Sequence, residues 1–308
     1  MCSSDLKNII IKYAFYKRTL LCYIISGDNS MDLLQKILEC SEEEVDSIID
    51  SVIVDANKNA TKVEKLGFLN YGKSYSVFKG FIPLKTRIKY SNLNIEDYGM
   101  ESTDFIYEFA HFVRKYNINS KSALIYSLEY FVNLYFGYPG GVDRETIFND
   151  IAWQTTTTDE EYFAALEKNK LGDLKGKGAA ECTERGALVQ QILSIFGTES
   201  YYCMGCVDLG DRQEGHCFNV VKRRNDYALV DYSLPVESYN SDGSFRMYCP
   251  FVGILSNEEF LEFVNNGVIK AFDCYDIRGG KQEKKGMQRR YVVGEYEFED
   301  QKQASNHM

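Results

Sequence analysis

The chain has 308 residues, with 44% hydrophobic and 26% charged side chains, and its net charge at neutral pH is −10. This balance is ordinary for a globular protein and excludes a chain that is disordered throughout. The acidic charge argues against nucleic-acid binding, because phosphate contacts need clustered Lys and Arg side chains. No apolar run approaches the length of a membrane span, so we expect no membrane partner.

The cysteine content points to a reducing compartment. Nine cysteines are present, and an odd number in a chain of this length is not typical of a disulfide framework. The N-terminus has Asp5, Lys7 and Lys12 where a secretory signal needs an unbroken apolar stretch. We therefore expect a cytoplasmic protein whose thiols are mostly reduced.

Residues 1–83 differ in pattern from the rest and predict an N-terminal domain. A largely apolar stretch at 13–25 and two helical patterns, the second containing the capping-box pair Ser41 and Glu44, predict three helices. Two short strand-like pieces follow, and this order resembles a winged helix. Residues 27–56 hold nine acidic side chains and one basic one, which does not suit DNA. We interpret the segment as a protein-contact domain that could bind a protein partner, with a helical extension of the main core as the equal alternative.

Residues 84–300 predict a second domain, with helices first and strands afterwards. This order is typical of an α+β fold, in which a helical half packs on a mostly antiparallel sheet. A polar tail over 301–308 is predicted to be disordered. The periodicity predicts helices that begin near 103 and 120 and at 143–153, 158–168, 183–196 and 257–264, and strands at 201–207, 218–221, 227–230, 245–255, 271–277 and 291–298.

Cys182 lies between a glycine-containing loop and the predicted helix 183–196. A helix N-terminus presents backbone N–H groups and the positive end of the helix dipole, and both favour a thiolate there. The same N–H groups can bind an oxyanion. The helix carries an apolar stripe suited to burial under a sheet, which would hold a nucleophile rigidly.

A thiolate nucleophile needs a base, and His216 is the best of the three histidines. His111 lies in a predicted helix and His307 in the polar tail. Asp231, at the end of the strand that follows, could orient the imidazole. An even-length hairpin loop would put His216 and Asp231 on one face as diagonal neighbours, whereas an odd one would separate them. We predict Cys182, His216 and Asp231 as a catalytic triad.

The order of these motifs resembles the transglutaminase-like superfamily, a branch of the papain fold. The matching pieces are Gly-Ala-Ala-Glu-Cys182 at a helix start, Gly-His216 at a strand start and Leu-Val-Asp231 at a strand end. Cys182 and His216 are 34 residues apart, and His216 and Asp231 are 15 apart. The resemblance covers 176–235. It implies a papain/transglutaminase-like core, in which the Cys helix packs on the sheet that carries His and Asp.

This resemblance implies thiol-dependent acyl transfer on amide bonds of a peptide or protein. Cys182 would attack the carbonyl carbon, His216 would transfer the proton and Asp231 would orient the imidazole. Water would resolve the acyl-enzyme in a cysteine peptidase or amidase, and an amine would do so in a transglutaminase. We expect no cofactor and no metal. Trp153 and Gln154, upstream of the cysteine, are candidates for the second oxyanion donor.

A non-catalytic alternative rests on a CxxC motif formed by Cys203 and Cys206. Together with His216 and Cys217 it could bind zinc, although neighbouring side chains on a strand point apart. Structural cysteines are the favoured interpretation. In the alternative, the protein is a zinc-binding or protein-interaction module with a vestigial triad, and 1–83 is its working surface.

Overall fold

The computed structural model confirms the α+β class, with helices mainly in the first half of the chain and strands in the second. It describes residues 29–60, 77–82, 84, 87–88, 98–138, 144–166, 168–208, 210, 213–239, 244–272 and 288–293. The helices are α1 (Asn29–Glu39), α2 (Val45–Asn59), α3 (Asp104–Tyr116), α4 (Lys121–Phe136), α5 (Arg144–Thr155), α6 (Asp159–Leu166), α7 (Cys182–Ile195) and α8 (Asn257–Asn266), with 3-10 turns at Glu42–Glu44 and Leu171–Leu174. None of these helices is long and apolar enough to cross a bilayer.

The strands form one large antiparallel sheet and a small separate ribbon. The large sheet has the order β7-β6-β5-β4-β9-β8, and β1 also pairs with β4. One edge of β4 pairs with β5, while its other edge pairs first with β1 and then with β9. The strands are β1 (Val77–Lys79), β2 (Arg87–Ile88), β3 (Tyr98–Gly99), β4 (Ser200–Asp208), β5 (Gln213–Lys222), β6 (Tyr227–Tyr239), β7 (Phe245–Leu255), β8 (Val268–Phe272) and β9 (Gln288–Val293), of which β2 and β3 form the ribbon.

Helix α7 lies at the centre of the molecule, between the sheet and the other helices. It packs on β4, β5 and β6 on one side and against α2, α3 and α4 on the other. The sequence predicted an apolar stripe on one face, but nearly the whole circumference of α7 is buried because helices cover its second side. Gly186 makes the close approach possible: a Cβ at this position would lie 2.8 Å from Cε2 of Tyr202 on β4.

Two buried glutamines on α7 anchor the segment that contains β1. Gln191 accepts a hydrogen bond from the backbone N–H of Ile82 at 2.8 Å and donates to the Ile82 carbonyl at 2.9 Å. Gln190 donates to the carbonyl of Gly80 at 2.9 Å. Buried amides need such partners to offset their lost hydration. The segment 77–82 is therefore fixed both to the sheet and to the helix that begins with Cys182.

The N-terminal helices belong to the same core as the rest of the described chain. Helices α1 and α2 pack on α3, and their apolar side chains lie in one continuous cluster with those of α7. Strand β1, from the second predicted strand piece, pairs with β4 of the main sheet. Helices α1 and α2 therefore share a core with the rest of the described chain, and β1 shares its sheet, while the division into domains at residue 83 stays a prediction. The first predicted strand piece, 65–69, and the tail 301–308 lie outside the described residues.

The predicted start of a helix agrees best with the observed start where a capping residue determines it. Ser120 caps α4, with its hydroxyl accepting from the Ala123 N–H at 3.2 Å, as predicted. The strand predicted at 271–277 was placed too late, since β8 begins at Val268. Gly267 adopts φ 71 and ends α8, so the strand starts directly after it. Residues 273–277 lie outside the described part.

Candidate active site

Cys182 is the first residue of α7, and a buried ion pair fixes this end of the helix. The Glu181 backbone N–H donates to Oε2 of Glu184 at 2.8 Å, and Oε1 of Glu184 accepts from Nη1 of Arg144 at 2.8 Å. Glu184 is fully buried, so Arg144, at the start of α5, neutralises it. The first N–H groups of a helix have no acceptor one turn earlier, and here they lie at the thiol.

The loop before Cys182 is held by Arg185, which is buried one turn into the helix. Its Nε donates to the Ala180 carbonyl at 2.9 Å, and its Nη1 donates to Oδ1 of Asn133 on α4 at 2.8 Å. Its Nη2 donates to the carbonyl of Gly137, just after α4, at 2.9 Å. One planar guanidinium thus joins the loop, the Cys helix and α4 in a fixed geometry.

His216 and Asp231 are brought together by the hairpin of β5 and β6. The register pairs Asn219 with Val230, which leaves a loop of even length at the tip and confirms the predicted alternation. Nε2 of His216 lies 2.9 Å from Oδ2 of Asp231, and both side chains are buried. An ionised carboxylate only accepts, so Nε2 carries the proton of this bond and Nδ1 is left for the thiol.

The carboxylate of Asp231 accepts more than this one hydrogen bond. The hydroxyl of Tyr291, on β9, donates to the same Oδ2 at 2.9 Å. The backbone N–H of Ser233 donates to Oδ1 at 3.1 Å. Several donors favour the charged form of a buried carboxylate, because they replace the water that burial removes. Asp231 is therefore held as an anion beside the imidazole.

The thiol, the imidazole and the carboxylate shift one another's proton affinities. Burial alone would lower the pKa of His216, but the charges of Asp231 and Cys182 outweigh it and raise that pKa to about 10. The pKa of Cys182 lies well below its usual value, because Cys217 hydrogen-bonds to its sulfur and the positive imidazole stands beside it. Both shifts favour a thiolate–imidazolium pair.

Cys217, next to His216 on β5, is part of the environment of the Cys182 thiol. Burial and the neighbouring Cys182 raise the pKa of the Cys217 thiol well above its usual value, so it remains protonated and donates. The hydroxyl of Thr183 lies 3.9 Å from Sγ of Cys182 and 3.5 Å from Sγ of Cys217. Cys182 as a residue is half-buried, whereas Cys217 and Thr183 are fully buried.

The oxyanion candidates Trp153 and Gln154 both lie on α5 with exposed side chains. The Trp153 ring packs edge-on against Tyr162 of α6, with 6.2 Å between the ring centroids. Helix α5 reaches the Cys helix through Arg144, at the opposite end from Trp153. The assignment of a second oxyanion donor to either residue stays a prediction.

The cysteines of the CxxC motif do not converge. Cys203 is buried in the apolar cluster on one face of the sheet, where burial raises the pKa of its thiol. Cys206 is three residues further along β4, so its side chain points to the opposite face. Five cysteines are free thiols: Cys40, Cys182, Cys203, Cys206 and Cys217. The described ranges contain no group of three or more His, Cys, Asp or Glu side chains placed to hold a metal.

Sequence analysis missed several residues that build this site. A partner for Glu184, which proves to be Arg144, could have been expected, because a charged residue inside the buried Cys helix needs one. The same reasoning applies to Arg185. Tyr291 carried none, since a tyrosine in a strand is ordinary and 60 residues separate it from Asp231. Only the pairing of β9 with β4 reveals it.

Comparison of the chain with protein-family models, with curated proteins and with solved structures found no match. The geometry of the site is therefore the basis for any functional assignment.

Proposed function

We propose that this chain is a thiol-dependent acyl-transfer enzyme that acts on amide bonds of a peptide or protein, with Cys182 as nucleophile, His216 as acid and base, and Asp231 as orienting group. One observation carries the proposal: the thiol of a half-buried cysteine at a helix N-terminus contacts an imidazole whose other nitrogen lies 2.9 Å from a buried carboxylate. Nucleophile, base and orienter in contact are the arrangement that activates a thiol.

The acylation half-reaction follows from this arrangement. The Cys182 thiolate attacks the carbonyl carbon, and a C–S bond forms while the carbonyl π electrons move to oxygen. The N–H groups at the start of α7 are positioned to stabilise that oxyanion. As the tetrahedral intermediate collapses, the C–N bond breaks and the His216 imidazolium gives its Nδ1 proton to the leaving amine. Acyl-enzyme and neutral imidazole remain.

The second half-reaction reverses these roles. Neutral His216 takes a proton from the incoming water or amine, which attacks the thioester carbonyl. The C–S bond then breaks, and the thiolate leaves beside the newly formed imidazolium. The site is thereby returned to its starting charge state. Water as acceptor gives a cysteine peptidase or amidase, and an amine gives a transglutaminase-like enzyme.

The packing of the Cys helix supports the resemblance to the transglutaminase-like superfamily. The fully packed helix α7 presents its N-terminal cysteine to an antiparallel sheet, and the neighbouring strands β5 and β6 carry His216 and Asp231. The order along the chain, Cys then His then Asp, is that of the motifs that suggested the family. We assign the papain/transglutaminase-like core on this combination of order and placement.

The opposite faces of Cys203 and Cys206 weigh against the zinc-module alternative, because one metal ion cannot bind both thiols without breaking the strand. The vestigial-triad alternative predicts a Cys182 with ordinary thiol chemistry. A working triad predicts instead that His216 makes Cys182 unusually reactive. The reactivity of Cys182 therefore distinguishes a working triad from a vestigial one.

The first test is the rate of iodoacetamide alkylation at each cysteine, followed by mass spectrometry across pH, in wild type, His216→Ala and His111→Ala. We expect Cys182 to react fast in mildly acidic buffer, to lose that advantage in His216→Ala, and to keep it in His111→Ala. Cys206, half-buried on the same sheet, is the internal reference. A Cys182 that titrates like Cys206 in wild type would overturn the proposal.

A further inference from the structure

Tyr291, on β9, contacts the triad through Asp231. Its hydroxyl donates to Oδ2 of Asp231 at 2.9 Å, and the same oxygen lies 2.9 Å from Nε2 of His216. Tyr291 is fully buried, as are its two partners. A single carboxylate oxygen therefore receives two hydrogen bonds, one from the base and one from the phenol.

The ring of Tyr291 is fixed independently of its hydroxyl. It packs against Phe218 with 4.8 Å between centroids, and against the His216 ring with 6.2 Å. Its backbone pairs with Val207 on β4 and with Ile269 on β8. The hydroxyl can thus be removed while the ring and the strand keep their packing.

The position of this hydroxyl determines how Asp231 acts on His216. The carboxylate of a residue with a free side-chain torsion can rotate, and a second donor on Oδ2 fixes the oxygen that faces the imidazole. The phenol also withdraws part of the negative charge from that oxygen. Without it, the uncompensated carboxylate would favour protonation of every group in the cluster, including the thiolate.

We propose that Tyr291 is a positioning residue of the active site, a fourth member that holds the Asp231 carboxylate oriented and ionised behind His216. This inference rests on the proposed function and deepens it, since it assigns to β9 a role in the state of the nucleophile. It acts through Asp231 and touches neither the reacting sulfur nor the carbonyl. The site is consequently incomplete until β9 pairs with β4, however well the helix and the hairpin are formed.

The test compares the pH profile of Cys182 alkylation by iodoacetamide in the full chain for wild type, Tyr291→Phe and Tyr201→Phe. Tyr201 is a matched control, because its hydroxyl also donates to a carboxylate, Oε1 of Glu199 at 2.7 Å, from the same sheet and the same apolar cluster. We expect the acidic limb to move to higher pH in Tyr291→Phe alone. Alkylation in mildly acidic buffer then slows about 3- to 10-fold, since one pH unit is tenfold in thiolate.

The role of Asp231 as intermediary gives a second measurement. In an Asp231→Asn background the further change Tyr291→Phe is expected to leave the profile where it is, because the group through which the phenol acts has gone. A merely structural tyrosine would instead lower thermal stability in both backgrounds and leave the acidic limb unmoved. Either an unmoved limb or an equal shift in Tyr201→Phe overturns the proposal.

A variant that keeps the shape of tyrosine covers the case in which Tyr291→Phe does not fold. Incorporation of 3-fluorotyrosine at position 291 strengthens the phenol as a donor, so the limb is expected to move to lower pH; no shift overturns the role of Tyr291. His216→Ala, measured in parallel, separates the two levels of inference. If it abolishes the reactivity of Cys182 at acidic pH while the Tyr291 variants do nothing, the proposed function stands and the role of Tyr291 falls. If it changes nothing, the proposed function fails.

Discussion

Two histidines in the described part of the chain contact carboxylates, and the surroundings of these two histidines differ. His111, on α3, bridges two acids of the N-terminal segment: Nδ1 lies 2.8 Å from Oε1 of Glu42, and Nε2 lies 2.9 Å from Oδ1 of Asp46. His216 has one carboxylate partner, Asp231, at 2.9 Å. The side chain of His111 is 35% exposed and that of His216 is 3% exposed.

The difference shows which feature of a His–carboxylate pair allows the imidazole to transfer a proton. Both ring nitrogens of His111 are occupied by carboxylates, so the ring has no nitrogen left for a substrate or a nucleophile. His216 has a carboxylate on one nitrogen and a thiol at the other, which is the geometry for proton transfer. Burial then strengthens the charges at His216, whereas water screens those at His111. The first pair joins two helices, and the second lies beside the thiol of Cys182.

The change Asp231→Asn should have the largest effect, because it removes the buried negative charge beside His216. An amide in place of the carboxylate no longer stabilises the imidazolium and can favour the wrong tautomer. We expect hydrolysis of p-nitrophenyl acetate to fall by roughly 10²–10⁴-fold, the range for a lost orienting or acid–base group. Stopped-flow detection of nitrophenolate measures it.

Asp226→Asn is the control for that experiment. Asp226 lies at the tip of the same hairpin, where it pairs with Arg223 at 2.8 Å, and it is remote from the triad. Its replacement should leave turnover unchanged within about twofold, as for surface substitutions generally. Equal losses in the two variants would show that the hairpin as a whole, and not the carboxylate behind His216, determines the rate.

The placement of His216 beside Asp231, and of Cys182 at a helix start, could be predicted from the sequence because the signals are local. Cys182 stands at a glycine-rich loop before an apolar helix, and the spacing of His216 and Asp231 around a hairpin tip fixes their relative face. Each of these inferences needs only the periodicity of one element or one turn. The same holds for α4, whose start at Ser120 is set by one hydroxyl.

The supporting residues could not be predicted, because their partners are distant in sequence. Nothing in the sequence marks Gln191. Its side-chain amide hydrogen-bonds through both its oxygen and its nitrogen to the backbone of Ile82, 109 positions earlier. The pairing of β9 with β4, which delivers Tyr291, depends on how the whole sheet closes. The N-terminal segment shows the same limit: local patterns predicted its helices, but not that β1 would pair with β4 of the large sheet.

The change Cys217→Ala should have an intermediate effect, and it tests how much Cys217 contributes to the lowered pKa of Cys182. Cys217 hydrogen-bonds to the sulfur of Cys182 and lowers its pKa, so its removal should raise that pKa. The acidic limb of Cys182 alkylation then moves to higher pH, with a loss of about 3- to 10-fold in mildly acidic buffer. Cys203→Ala, an equally buried thiol on the neighbouring strand, should not move it. Identical limbs in all three proteins would mean that the imidazole alone sets the state of the sulfur.

The smallest effect is expected at His111, and there the readout is stability. Glu42 and Asp46 raise the pKa of His111 above its ordinary 6.5, although its partial burial opposes them. A raised folded-state pKa contributes stability that is fully present below the unfolded-state pKa and is lost as pH rises through the folded-state pKa. The stabilisation that His111 gives to the packing of α2 on α3 should therefore fade above pH 6.5. Its size should be below about 1 kcal/mol, because the pair is screened by solvent.

The variant His111→Gln isolates this contribution, because its amide nitrogen can still donate to one of the two acids while the side chain no longer titrates. Urea unfolding of wild type and variant, at mildly acidic and mildly alkaline pH, gives the difference in the free energy of unfolding. We expect the wild type to be the more stable at acidic pH and the two to converge at alkaline pH. Arg114, which also pairs with Glu42 at 3.0 Å, remains in both proteins and keeps the helices joined. A difference that grows with pH would mean that His111 is neutral when docked, and the two histidines would then differ in charge as well as in burial.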